Sequence, residues 1–142
     1  MLIEDNLDFI KSYKALGIKT SDKILLCFSS LKIFYLLKNK NYLKDDYFNQ
    51  LLNSVFQNAI DNLLKLIGKN GTILVPTYNW DFCNRKTFDY NNTLGQCGAL
   101  SNVALKRKDF KRTKHPIYSL AVWGKYKNIL CKMNNKSSWG LN

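Results

Sequence analysis

His115 is the only histidine in a chain of 142 residues, and imidazole is the side chain whose ordinary pKa lies nearest neutrality, so it is the first group to consider for proton transfer. It stands in Lys114-His115-Pro116-Ile117-Tyr118-Ser119, which also brings a hydroxyl. A second group of interest is Ser29-Ser30, placed directly after the apolar run Ile24-Leu25-Leu26-Cys27-Phe28. A buried strand ending there delivers two hydroxyls and free backbone amides at its carboxyl end, the end at which open α/β sheets bind ligands. A third is Thr77-Tyr78-Asn79-Trp80-Asp81, which follows Pro76 and mixes hydrogen-bonding groups with aromatic faces suited to a sugar ring. Each has a plainer reading. Ser29 and Ser30 can cap a helical turn, Tyr78, Trp80 and Phe82 can be core, and Asn79 and Asp81 can be turn residues. For His115 the residues leave open a structural hydrogen-bonding role, a ligand contact and a general base.

These groups need elements to hold them. Apolar residues at helical spacing within 3–16, with Gly17 after them, predict a first helix. From 47 to 67 the positions Phe48, Leu51, Leu52, Val55, Phe56, Ala59, Ile60, Leu63, Leu64 and Ile67 recur at three- and four-residue steps, a longer and clearer helix that stops at Gly68. Lys69-Asn70-Gly71 then turns the chain into Thr72-Ile73-Leu74-Val75, a second buried strand. A short helix over 100–108 and a third strand over 117–123 follow. Strands alternating with helices predict an α/β fold, a layered and mostly parallel sheet flanked by helices, in a single domain over 1–142.

The four cysteines, Cys27, Cys83, Cys97 and Cys131, are widely separated and stand with one histidine, which argues against a metal site and against a disulfide framework. They are expected to be free and mostly buried. No stretch approaches the roughly 20 apolar residues of a spanning helix, and the acidic start lacks the order of a signal peptide, so no membrane contact and a cytoplasmic location are expected. The net charge of +12 implies attraction to anions: nucleic acid, anionic lipid or phosphorylated small molecules. Much of it is lysine scattered among asparagines, the pattern of a solvated surface.

Four segments together resemble the aminoglycoside 3-N-acetyltransferase (antibiotic N-acetyltransferase) family, in its N-terminal part. They are Leu25-Leu26-Cys27-Phe28-Ser29-Ser30-Leu31, the block from Gly71-Thr72 through Pro76-Thr77-Tyr78-Asn79-Trp80-Asp81, Gly98-Ala99-Leu100-Ser101-Asn102, and Lys114-His115-Pro116-Ile117-Tyr118-Ser119. The resemblance implies acetyl-CoA as co-substrate, with Ser29, Ser30, Leu31, His115 and Ser119 on the cofactor side. It implies an acceptor wall of Thr77, Tyr78, Asn79 and Asp81, with Asp81 on the acceptor amine. Two positions depart from the family pattern: Phe28 replaces a usual histidine, and Asn102 a usual glutamate.

The implied reaction is direct attack of a sugar amine on the thioester. The family's general-base histidine belongs to a later Leu-His-x-x-Glu segment that has no counterpart here. Ser138-Trp139-Gly140 is similar to the start of the Ser-x-x-Gly region near a family member's midpoint. The expectation is therefore a truncated, incomplete N-acetyltransferase domain with no catalytic residue assigned and no appreciable turnover alone, prone to self-association or to completion by a second chain. The positive charge favours a nucleotide-linked amino sugar over a polycationic aminoglycoside as acceptor. The competing reading is a small basic nucleic-acid-binding protein, suggested by Lys106-Arg107-Lys108 and Lys111-Arg112.

Overall fold

The structure, a computed structural model, describes residues 8–29, 31–33, 35 and 45–133. The chain divides into two compact units, Met1–Asp22 with Ser29–Gly71, and Lys23–Phe28 with Thr72–Asn142.

In the first unit, α1 (Phe9–Ala15) begins at Asp8, whose carboxylate accepts the Lys11 N–H at 2.8 Å and so satisfies a donor the helix cannot. Of the helix expected over 3–16, residues 3–7 lie outside the described residues, and Asp8 and Leu16 flank the helix as its caps. The long helix α2 (Asp45–Ile67) buries Val55, Phe56, Ala59, Ile60, Leu63 and Ile67 along the face its apolar spacing predicts. Tyr13 ties α1 to it, donating its hydroxyl to the Ala59 carbonyl at 3.1 Å, and burial pushes the Tyr13 phenol well above its ordinary value.

The second unit is built on a sheet of four strands in the order β1-β2-β4-β3: β1 (Lys23–Leu25), β2 (Thr72–Pro76), β3 (Lys111–Arg112) and β4 (Leu120–Gly124). A 3-10 turn (Asp81–Asn84) and α3 (Ala99–Lys106) follow β2, and α4 (Lys127–Lys132) follows β4. The expected parallel pair is present: β1 runs parallel to β2, with Ile24 opposite Ile73. β4 runs antiparallel to β2, Val122 opposite Leu74, and β3 runs antiparallel to β4. The sheet is therefore mixed, not mostly parallel. The reason lies in the connection, since residues 113–119 alone join β3 to β4 and a parallel crossover needs about a dozen residues or more.

Other boundaries move as well. β1 stops at Leu25 instead of 28, and the strand expected from 117 begins at Leu120. Helix α4 arises in the lysine- and asparagine-rich stretch read as solvated surface, because it buries Cys131. Of the four free cysteines only Cys131 is buried; Cys97 is intermediate, while Cys27 and Cys83 are exposed, which corrects the expectation of mostly buried thiols. No helix among the described residues is long and apolar enough to cross a membrane.

Candidate functional site

The pairing of β2 with β4 continues past the strands themselves. The Thr77 N–H donates to the Ser119 carbonyl and the Asn79 N–H to the Ile117 carbonyl, both at 2.9 Å. Side chains alternate along such a ladder, so Thr77 and Ser119 share one face and Tyr78 and Tyr118 the other. The two tyrosine rings meet edge to face at 5.3 Å. Two segments that are far apart in sequence, 77–81 and 115–119, thus become one surface.

Arg112 fastens that surface from beneath. Its Nε–H donates to Ser119 Oγ at 3.0 Å, one Nη2 hydrogen to the Thr77 carbonyl at 3.1 Å, and an Nη1 hydrogen to the Thr93 carbonyl, while the guanidinium rests 4.8 Å from the Phe88 ring centre. Only 5% of Arg112 is exposed. Burial lowers its pKa, yet an arginine starts so high that it keeps its charge. Carbonyl dipoles and an aromatic face stabilise the cation, and no carboxylate pairs with it among the described residues. Ser119 donates its proton to the Thr77 carbonyl at 3.0 Å, which leaves the Thr77 hydroxyl to donate to Ser119 Oγ at 2.9 Å. Both hydroxyls, expected to meet ligands, are fully buried and occupied within the protein.

His115 is buried, and its Nδ1 accepts two backbone hydrogens, from Ile117 at 3.1 Å and Tyr118 at 2.8 Å. The ring therefore shapes the turn into 117–119, and in the neutral imidazole the hydrogen lies on Nε2. That nitrogen has no partner among the described residues, so its hydrogen is available to a ligand.

On the other side, Asn79 is held on both ends of its amide: it donates to the Leu94 carbonyl at 2.9 Å and accepts the Asp81 N–H at 2.8 Å. Asn79 thus positions the 3-10 turn and presents the Asp81 carboxylate, which takes bonds from Lys86 Nζ at 3.2 Å and Gln96 Nε2 at 3.3 Å. Gln96 also accepts the Trp80 N–H at 2.9 Å and donates its own N–H to the Tyr78 carbonyl at 2.7 Å. Trp80 stays 44% exposed. Burial first, then the Cys97 and Cys27 thiols and Tyr118, push the Tyr78 phenol upward, so it remains a neutral hydroxyl.

Asn102, which stands where the family has a carboxylate, is structural here. It exchanges bonds with the backbone of Gly95, accepting its N–H at 2.9 Å and donating to its carbonyl at 3.2 Å. A carboxylate at 102 could not make the second bond. Gln96 carries no signal in the sequence, and Arg112 reads there as one of a surface basic pair with Lys111. That Arg112 is buried while Lys111 is exposed is visible only in the structure.

Ser29 and Leu31 belong to the first unit, and Ser30 lies outside the described residues, as do Ser138, Trp139 and Gly140. Ser29 caps a helical turn, its Oγ accepting the Lys32 N–H at 3.4 Å and its carbonyl the Ile33 N–H at 3.3 Å. Leu31 is exposed. Within the clusters that suggested nucleic acid, Arg107 pairs with Asp109 at 2.8 Å and faces Phe110 and Arg112 is buried, while Lys106, Lys108 and Lys111 are exposed.

Residues 49–140 match the family described as aminoglycoside 3-N-acetyltransferase. No curated protein sequence matches the chain. Among solved structures, the YokD protein of Bacillus subtilis is similar with a TM-score of 0.63 at 21% identity, over 89% of this chain and 53% of that one. Sisomicin-bound AAC-VIa is similar with a TM-score of 0.65 at 17% identity, over 95% and 51% of the two chains. AAC-IIIb in a binary complex with CoASH gives 0.63 at 15% identity, over 89% and 48%. At such identities the likeness is one of fold, and the chain spans about half the length of these structures.

Proposed function

The chain belongs to the aminoglycoside 3-N-acetyltransferase family, and we propose on that premise that it forms the acetyl-CoA side and part of the acceptor side of an N-acetyltransferase. The acceptor is an amine of an amino sugar or aminoglycoside, and the positive charge of the chain favours a nucleotide-linked amino sugar. The observation that carries this reading is the Arg112 knot, which holds residues 115–119 and 77–81 in one body. Acyl transfer needs donor and acceptor held at fixed separation. AAC-IIIb solved with CoASH and AAC-VIa solved with sisomicin support the two ligand classes.

Acetyl-CoA supplies an activated acyl thioester when bound. Within the second unit His115 and Ser119 serve its side of the site, where the Nε2–H of His115 is the donor left to a ligand and Ser119 acts through Thr77 and Arg112, while Ser29, Ser30 and Leu31 are proposed as cofactor contacts on the family resemblance alone. On the acceptor side, Thr77 and Asn79 are buried and hold the loop. Tyr78 and Trp80 offer ring faces to a sugar, and the Asp81 carboxylate takes its ammonium. No residue of this chain is assigned as the general base. The chain is read as part of an antibiotic N-acetyltransferase-like domain acting in the cytoplasm. Self-association, or a complementing second chain, would use the sheet edge at β1, where Leu25 is 59% exposed.

Calorimetric titration of the purified chain with coenzyme A, then with aminoglycosides and uridine-diphosphate-linked amino sugars, tests the reading. Saturable binding of coenzyme A is expected, with Asp81→Asn weakening the amine ligand about tenfold and leaving coenzyme A unchanged. Absence of coenzyme A binding together with steeply salt-sensitive binding to generic DNA would overturn it.

A further inference from the structure

Beside Asp81 opens a groove of about 660 Å³ lined by Phe82, Phe88 and Pro116 and by three cations, Arg85, Lys86 and Lys114. No carboxylate among the described residues lines it. Lys86 is drawn to Asp81 at 3.2 Å, whereas Arg85 and Lys114 have no ion pair among the described residues. Arg85 also holds a left-handed backbone, φ 62°, directly after the 3-10 turn. Glycine or asparagine takes that conformation more readily than arginine, so the side chain at this position is costlier for the backbone than the alternatives. Phe88 already carries the Arg112 guanidinium, while Phe82 is 49% exposed.

We propose that this groove binds the diphosphate of a nucleotide-linked amino sugar, with Arg85 and Lys114 on the phosphates and the base stacked on Phe82. Guanidinium and ammonium groups are the usual donors to phosphate, and an aromatic face accepts a base of any sequence. The Asp81–Lys86 pair lies where the two ends of such a ligand meet: the ammonium of the sugar replaces Lys86 on Asp81, and Lys86 turns to the phosphate. A polycationic aminoglycoside is repelled by the same three cations. The ammonium end rests on the acetyltransferase reading above; the diphosphate end stands on the groove alone.

Calorimetry of the full chain with uridine diphosphate, inorganic pyrophosphate and coenzyme A as separate probes decides the matter. Uridine diphosphate is expected to bind saturably and to weaken with salt. Arg85→Gly should raise its Kd about tenfold with no loss of thermal stability, since glycine suits the backbone there, and Lys114→Ser should act likewise. Phe82→Ala should weaken uridine diphosphate but not pyrophosphate. Unchanged uridine diphosphate affinity in folded Arg85→Gly overturns the proposal. So does coenzyme A competing for the groove and losing affinity in both cation variants, which would assign it to the co-substrate. Because these readouts are of binding, failure to acetylate any amine would count against the acetyltransferase reading and not against the groove.

Discussion

The Nε–H of Arg112 meets Ser119 Oγ at 3.0 Å, and because the Thr77 carbonyl can only accept, the Ser119 proton goes to it. Ser119→Ala removes the acceptor from a buried cation and a donor from a carbonyl at once. The expected cost is about 2 kcal/mol, a fall in Tm of roughly 8 °C, measured by thermal unfolding. An unchanged Tm would mean that the knot contributes nothing to the fold.

Asn102→Asp tests the exchange with Gly95. Aspartate can still accept the Gly95 N–H, but it sets a carboxylate against the Gly95 carbonyl that Asn102 now serves at 3.2 Å. Destabilisation of about 1–3 kcal/mol is expected in urea unfolding, and more at neutral pH than at a pH where the new carboxyl is protonated and can donate.

A methyl group at residue 95 has nowhere to go. The Cβ of Gly95→Ala would stand 2.9 Å from Ser101 Cβ and 3.2 Å from the Thr77 backbone. Backbone must shift on the Thr77 side, so a loss of roughly 1–3 kcal/mol is expected, together with weaker binding of any ligand that meets residues 77–81. Thermal unfolding and ligand titration of the one variant check both.

Asp89 closes the turn that presents the Thr93 carbonyl to Arg112. Its carboxylate accepts the Asn92 side-chain amide at 2.9 Å and the Asn91 and Asn92 backbone hydrogens at 2.8 and 3.1 Å, which hold its pKa below the ordinary aspartate value. A lowered folded pKa contributes stability that is complete above the ordinary value of about 3.9 and is lost as pH falls through the folded value. Protection of the Asn91 and Asn92 amides, taken relative to the intrinsic exchange rate at each pH, should therefore fall on acidification below about pH 4, and Asp89→Asn should abolish that pH dependence. Protection factors that stay constant across this range in the unsubstituted chain would contradict the assignment.

The residues differ in how openly they declare their roles. Helix α2 and the parallel pair of β1 with β2 are legible because their apolar period or continuous apolar run is long. β3 is only Lys111–Arg112, too short for any period, and the direction of β4 depends on its partners and not on its own apolar residues. Thr77 and Ser119 were recognised as paired with chemistry, but a hydroxyl does not reveal in sequence whether its partner is a ligand or a strand opposite. Only the folded chain shows Arg112 bonded to Ser119 Oγ and to the Thr77 carbonyl.

The ladder joining 77–79 to 117–119 also carries a rule about length. Because side chains alternate, inserting or deleting one residue in either segment would bring Tyr78 or Tyr118 onto the face of Thr77 and Ser119, with a ring where Arg112 needs a hydroxyl. Changes of side chain at Tyr78, Trp80 or Asp81 leave the alternation intact. The loop is thus open to diversification by substitution and closed to it by single-residue insertion, so libraries that seek a new acceptor should vary residue identity at fixed length.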